Sequence, residues 1–163
     1  MEKIKQKLII IQSEDQVAIH QPNFKSVSEK HVEELKKMIN QIGWPTISKV
    51  GKKASFAAWL IAQHADQDPK FQKYCLNLML SVKNDVEKKN IAYLTDRILV
   101  HQNKPQLYGT QFYIDELGNF RPRPIEDLEH IENRWREMEM AGELWKTFEE
   151  YKQYMENKQK QNR

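Results

Sequence analysis

Between Ala54 and Ala65 the chain carries no Asp, Glu, Lys or Arg. In a sequence that is 30% charged, such a gap is a strong constraint. Phe56, Trp59, Leu60 and Ile61 fall on different sides of a helix at about 100° per residue. A helix that is apolar all round has to be buried all round. The spacing therefore predicts a central helix over 52–66 with other helices packed about it, and Trp59 deep inside.

The flanking segments supply those helices. Ile4, Leu8, Ile11 and Asp15 share one stripe of a helix over 2–19. Ser26 with Glu29 has capping-box spacing, and Val32, Leu35, Ile39 and Ile42 keep a helical period up to Gly43. Trp44 to Ser48 reads as a loop, with Pro45 biasing Trp44 toward extended backbone. Asp68-Pro69 places an N-cap and a first-turn proline before a helix reaching about Val82. Its inward side is Phe71, Tyr74, Cys75, Leu78 and Met79. Ile91, Leu94 and Ile98 mark a further helix over 87–102.

The period then changes. Tyr108, Thr110, Phe112 and Ile114 alternate, and Gly118-Asn119 is a turn signal, so 107–114 with 119–122 reads as a small β-hairpin. A helix over 125–139 puts Leu128, Ile131, Trp135 and Met138 inward. Ala141-Gly142 breaks it, and Leu144, Trp145, Phe148, Tyr151 and Met155 outline a last amphipathic helix. The fold class is mainly α: a single-domain bundle of about six helices around a buried central helix, with one small hairpin near 107–122. The domain is expected to span 1–157, and 158–163 to be a frayed polar tail.

Composition limits the function classes. With 163 residues, 39% of them hydrophobic and 10% aromatic, the chain can build a core. The apolar run Leu8–Ile11 is too short for a membrane span or a signal peptide. A soluble, cytoplasmic protein is the expectation. The single cysteine, Cys75, rules out an intramolecular disulfide and a cysteine-based metal site. No metal-ligand motif is present, and neither a metal nor another cofactor is expected. The net charge of +3 is too small and too dispersed to argue for nucleic acid. It is uneven, however: 25–53 holds seven lysines against three glutamates, and 126–143 seven acids against two arginines.

Candidate chemistry lies in three strings. In Trp59–Asp66, Gln63, His64 and Asp66 are polar residues at the end of an otherwise apolar helix. His64 is suited to general acid–base work, with Asp66 or Asp96 to orient it. Asp96 and Arg97 are adjacent and therefore face opposite edges of their helix. Arg97 offers a planar donor fork for an anion. In Gln106–Gln111, Tyr108 and Gln111 can contact a polar ligand, and Gly109 suggests a bulge or a close approach. Trp44 and Trp59 would be walls.

Gly43-Trp44-Pro45-Thr46, Ala57–Asp66, Tyr93–Arg97 and Gln106–Gln111, in this order, resemble strings of a bacterial family known only as a domain of unknown function. Pro124-Ile125-Glu126-Asp127 is similar to a later segment of it. The likeness covers about residues 8–135. It implies that the strings share one pocket, and it carries no activity with it.

Two readings follow. In one, the protein is a pocket enzyme or binder for a small polar or anionic ligand. His64 and Asp96 are then catalytic, and Trp44, Trp59, Gln63, Asp66, Arg97, Tyr108 and Gln111 hold the ligand. In the other, it is a non-catalytic interaction module. The same polar residues then form a structural network, and a protein partner meets the C-terminal helices. Under both, His64, Asp96, Arg97 and Gln111 are expected in one neighbourhood, because polar groups beside an apolar helix need partners.

Overall fold

A computed structural model describes residues 1–118 and 120–140. The helices are α1 (Glu2–Ala18), α2 (Phe24–Ile42), α3 (Ile47–Val50), α4 (Lys52–Gln63), α5 (Pro69–Ser81), α6 (Lys88–His101) and α7 (Ile131–Glu137). Among the described residues, strands β1 (Phe112–Ile114) and β2 (Phe120–Pro122) complete the regular structure, with two single 3-10 turns at Lys83–Asp85 and Leu128–His130. The described chain is mainly α. The expected last helix, at 144–155, and the tail at 158–163 lie outside the described residues. So does the break at Ala141-Gly142. The chain forms two compact units, Met1–Leu94 and Thr95 onward. No Pro- or Gly-rich linker marks that division in the sequence.

The first unit is organised around α4, which packs on α1, α2, α3 and α5. No residue from Ala54 to Gln63 is exposed. Ala57, Ala58 and Ala62 have no accessible surface, so neighbouring backbones approach α4 closely. Leu8, Ile11, Leu35, Cys75 and Met79 are buried on the helices around it. Trp59 retains 8% of its surface, and its ring meets Phe56 at 5.0 Å and Tyr93 edge-on at 6.0 Å.

The ends of these helices follow local chemistry, with corrections. Gly43 closes α2 at φ 68°, where a side chain would be strained. Asp68 accepts from the Phe71 amide and Pro69 opens α5, as their order suggests. The expected capping box at Ser26 does not form. α2 starts earlier, at Phe24, and Ser26 Oγ turns back to the Asn23 carbonyl at 3.0 Å. The expected loop at 44–48 is partly helical. Asp85 accepts from both the backbone and the hydroxyl of Ser48, which holds the turn α3 in place. α4 ends at Gln63, three residues before the expected limit. Tyr74 points outward, 49% exposed, because α5 buries a narrower stripe through Phe71, Gln72, Cys75 and Met79.

In the second unit the hairpin is shorter than the alternation implies. β1 and β2 pair antiparallel in the register Phe112↔Pro122, Tyr113↔Arg121 and Ile114↔Phe120. Residues 107–110 instead wrap an acid on α6. The segment expected as one helix over 125–139 is a 3-10 turn followed by α7. Asp127, at φ 46°, prevents a continuous helix. Ile131 and Trp135 are buried, and the Trp135 indole donates to the Tyr108 carbonyl at 2.7 Å.

Candidate functional site

His64 ends α4, its amide donating to Leu60 and its carbonyl accepting from Ser28 Oγ at 3.1 Å. The backbone is thus held from two helices. The ring lies edge-on to Phe24 at 5.7 Å. Its Nδ1 is 2.6 Å from Oδ2 of Asp15. A carboxylate accepts only, so Nδ1 carries the proton and Nε2 is left as the basic nitrogen of the neutral ring. Nε2 makes no hydrogen bond with the described residues, and the side chain is 13% exposed.

The acid that orients His64 is therefore Asp15, and neither Asp66 nor Asp96 takes that part. Asp66 accepts from Gln72 Nε2 at 3.2 Å. Asp15 is 1% exposed. Burial pushes its carboxyl up, but contacts with His31 and His64 outweigh this and hold it at about 2. His31 lies with Nδ1 3.7 Å from Asp15 Oδ1 and Nε2 3.1 Å from Glu14 Oε2. Two imidazoles thus flank one buried carboxylate. A groove of about 540 Å³ runs alongside, lined by Glu14, Val17, Gln21, Asn23, Lys30 and His31 among others.

Asp15 and His31 are not among the residues that the sequence singles out. The signal for Asp15 was its place on the Leu8–Ile11 stripe, where an acid has no reason to stand without a partner. His31 sits one turn before Leu35 on the buried side of α2, and likewise called for one.

Asp96, Arg97, Tyr108 and Gln111 meet within the second unit. Asp96 is fully buried. Its carboxylate accepts from the amides of Leu107 (2.8 Å), Tyr108 (3.1 Å) and Thr110 (3.0 Å) and from Thr110 Oγ1 (2.9 Å). Burial raises its pKa against the pull of those donors. Gln111 Nε2 donates to Thr110 Oγ1 at 3.1 Å, and Arg97 Nη1 reaches Gln111 Oε1 at 3.5 Å. Gln106, fully buried, bonds both strand ends through Gln111 and Arg123. Gly109 has φ 72°, and a Cβ there would stand 3.2 Å from Ile125 Cδ1. The close approach that its place in the string suggested is a packing contact.

Trp44, Trp59 and Gln63 belong to the first unit and carry a different feature. Trp44 Nε1, Trp59 Nε1 and Gln63 Oε1 are buried with no hydrogen-bond partner among the described residues, as is Gln72 Oε1. Orphaned buried polar atoms are uncommon in folded proteins. Among the described residues, no group of three or more His, Cys, Asp or Glu is placed to hold a metal ion, and no helix is long and apolar enough to cross a membrane.

Fold and site together define a mainly helical protein with a buried carboxylate–histidine centre beside its central helix. The chain belongs to a family of unknown function, DUF6624, whose model matches residues 2–160. No curated protein and no solved structure matches it.

Proposed function

We propose that this protein binds and acts on a small polar or anionic ligand, with His64 as its proton-transfer group and Asp15 as the residue that positions it. The observation that carries the reading is the 2.6 Å contact from His64 Nδ1 to a carboxylate with 1% exposure. A buried acid fixes the tautomer and the ring orientation, and it stabilises the imidazolium that forms when Nε2 takes a proton. The partly exposed ring keeps Nε2 within reach of a ligand. The groove lined by His31, the second imidazole on Asp15, holds Lys30 for an anionic group and Gln21 and Asn23 for neutral polar ones; His64 itself does not line it.

A thermal-shift screen over nucleotides, sugar phosphates and small carboxylates, followed by product detection by NMR, tests it. A ligand that binds only the native state raises the melting temperature. For such a ligand, His64→Gln should keep the shift and lose turnover, and Asp15→Asn should slow turnover. Equal turnover by His64→Gln, or no ligand that shifts the wild type, would overturn the reading.

The non-catalytic reading has one observation in its favour. All four donors on Asp96 come from the segment Leu107–Thr110, so this acid serves to fold that segment rather than to meet a ligand. An interaction through the C-terminal helices would involve chain beyond the described residues.

A further inference from the structure

We infer that the cleft between the C-terminal end of α6 and the chain that follows β2 is a binding site for a small phosphate monoester. Val100, Asn103, Lys104, Pro105, Arg123 and Pro124 line a space of about 280 Å³, all of it within the second unit. That is room for a small ligand only. Lys104 and Arg123 are exposed, and no acid lines the cleft with them. Neither cation has an ion-pair partner among the described residues. Arg123 differs from the other described arginines. Arg97 donates to Gln111, Arg121 to Asp115, Arg134 to the Leu107 carbonyl and Arg136 to Asn133. The Arg123 guanidinium instead lies over the Tyr113 ring at 5.4 Å and donates to no oxygen of the described residues. A ring against one side of the guanidinium restricts it and leaves its N–H donors open.

The frame of the cleft is fixed from beneath. Gln106, fully buried, donates through Nε2 to the Arg123 carbonyl at 2.8 Å, and its amide donates to the Pro124 carbonyl at 2.8 Å. The segments that carry Lys104 and Arg123 are thus tied to one another. Pro105 and Pro124 restrict the backbone beside each cation. The negative pole of α6 is blunted as well. The carbonyls of Ile98, Leu99 and Val100 are taken by the amides of Gln102, Lys104 and Asn103.

Charge and shape then set the ligand class. Two cations lining one cleft without an acid repel each other and are best answered by a dianion. A phosphate monoester carries a charge of about −1.5 to −2 at pH 7. Arginine offers two of its oxygens a planar fork, and lysine offers another a point charge. Val100, Pro105 and Pro124 make the rest of the lining apolar, which favours an ester with a compact apolar body. The inference does not depend on proton transfer by His64, which belongs to the first unit.

The test titrates the full chain with phenyl phosphate, ribose 5-phosphate and inorganic phosphate, read by calorimetry and by the amide shifts of Asn103, Lys104 and Arg123. Phenyl phosphate is expected to saturate and to move those amides. It should bind about tenfold tighter than inorganic phosphate, which has no body for the apolar lining. Its affinity should fall about tenfold in Lys104→Gln and in Arg123→Gln, and should weaken as salt rises. Arg123→Lys keeps the charge without the fork and should recover only part of the loss. Arg136→Gln and His64→Gln should bind as the wild type does. Both cleft cations are exposed, so the Gln variants should keep the wild-type melting temperature, and lost binding is then not lost fold. Ribose 5-phosphate binding more tightly than phenyl phosphate would overturn the apolar body. No saturation by either ester, inorganic phosphate binding as tightly as the esters, or full affinity in both Gln variants would overturn the site.

Discussion

His64 Nδ1 and Asp15 Oδ2 stand 2.6 Å apart although 49 residues separate them in the chain. Neither position has a local reason to be polar. Asp15 lies on the apolar stripe of α1, and His64 closes the central helix of the first unit. Each accounts for the other, because a buried charge is tolerated only when paired.

The pair makes stability depend on acid. The Asp15 carboxyl titrates at about 2 in the fold, against 3.8 ordinarily. Below 3.8 the unfolded chain therefore binds the proton more readily than the native one. The contribution, roughly 2 kcal/mol, is present above that value and is lost as the pH falls through about 4 toward 2. Urea midpoints measured over this range should fall steeply for the wild type. They should fall less for Asp15→Asn, which starts lower.

Asp96→Ala should cost about 3 kcal/mol or more, since three amides, two of them buried, and a buried hydroxyl lose their acceptor together. The loss should appear in chemical denaturation. Amide protection of Leu107, Tyr108 and Thr110 should collapse in hydrogen exchange. Protection that survives the substitution would show that the segment is held by other means.

Gly109→Ala should destabilise by roughly 1–2 kcal/mol through its left-handed backbone, with the Ile125 contact adding to the cost. Gly118, also at positive φ but with open space around it, gives the comparison. Gly118→Ala should show the backbone cost alone. Equal midpoints for the two variants would remove the packing part of the argument.

Trp59→Ala should cost roughly 3–5 kcal/mol, the range for a large aromatic removed from a core. Trp59→Phe should cost much less, because it also deletes an unpartnered N–H. The ratio of the two, read from thermal melts, separates packing from hydrogen bonding.

Cys75 has no accessible surface, and burial pushes its thiol far above the ordinary value. It should resist a thiol reagent in the native protein and react at once in denaturant. Native reactivity at the rate of a free thiol would mean that α5 opens.

Much of the helical framework was legible because its causes are local. The uncharged stretch around Trp59 announces a buried helix, Asp68-Pro69 a helix start and Gly43 a helix end. The failures are also informative. Tyr74 has helical spacing to the core stripe of α5, yet periodicity does not say how wide a stripe the neighbours cover. The alternation at 107–114 looks like strand. Its first half is not, because a carboxylate on α6 takes the amides that a sheet partner would have used.

For the candidate site, the sequence by itself determined which residues were out of place. His64 and Gln63 stand on an apolar helix, Asp96 lies beside an apolar stripe, and a glycine sits inside an alternating string. It could not determine who answers whom. Hydrogen-bond partners are chosen by distance in space, and a helix stripe gives a residue's direction without naming what stands opposite. Only the tertiary structure decided that His64 is answered by Asp15, Asp96 by the backbone of 107–110 and Arg97 by Gln111. The physical reason is that burial fixes the need for a partner, while the packing of elements distant in sequence supplies one.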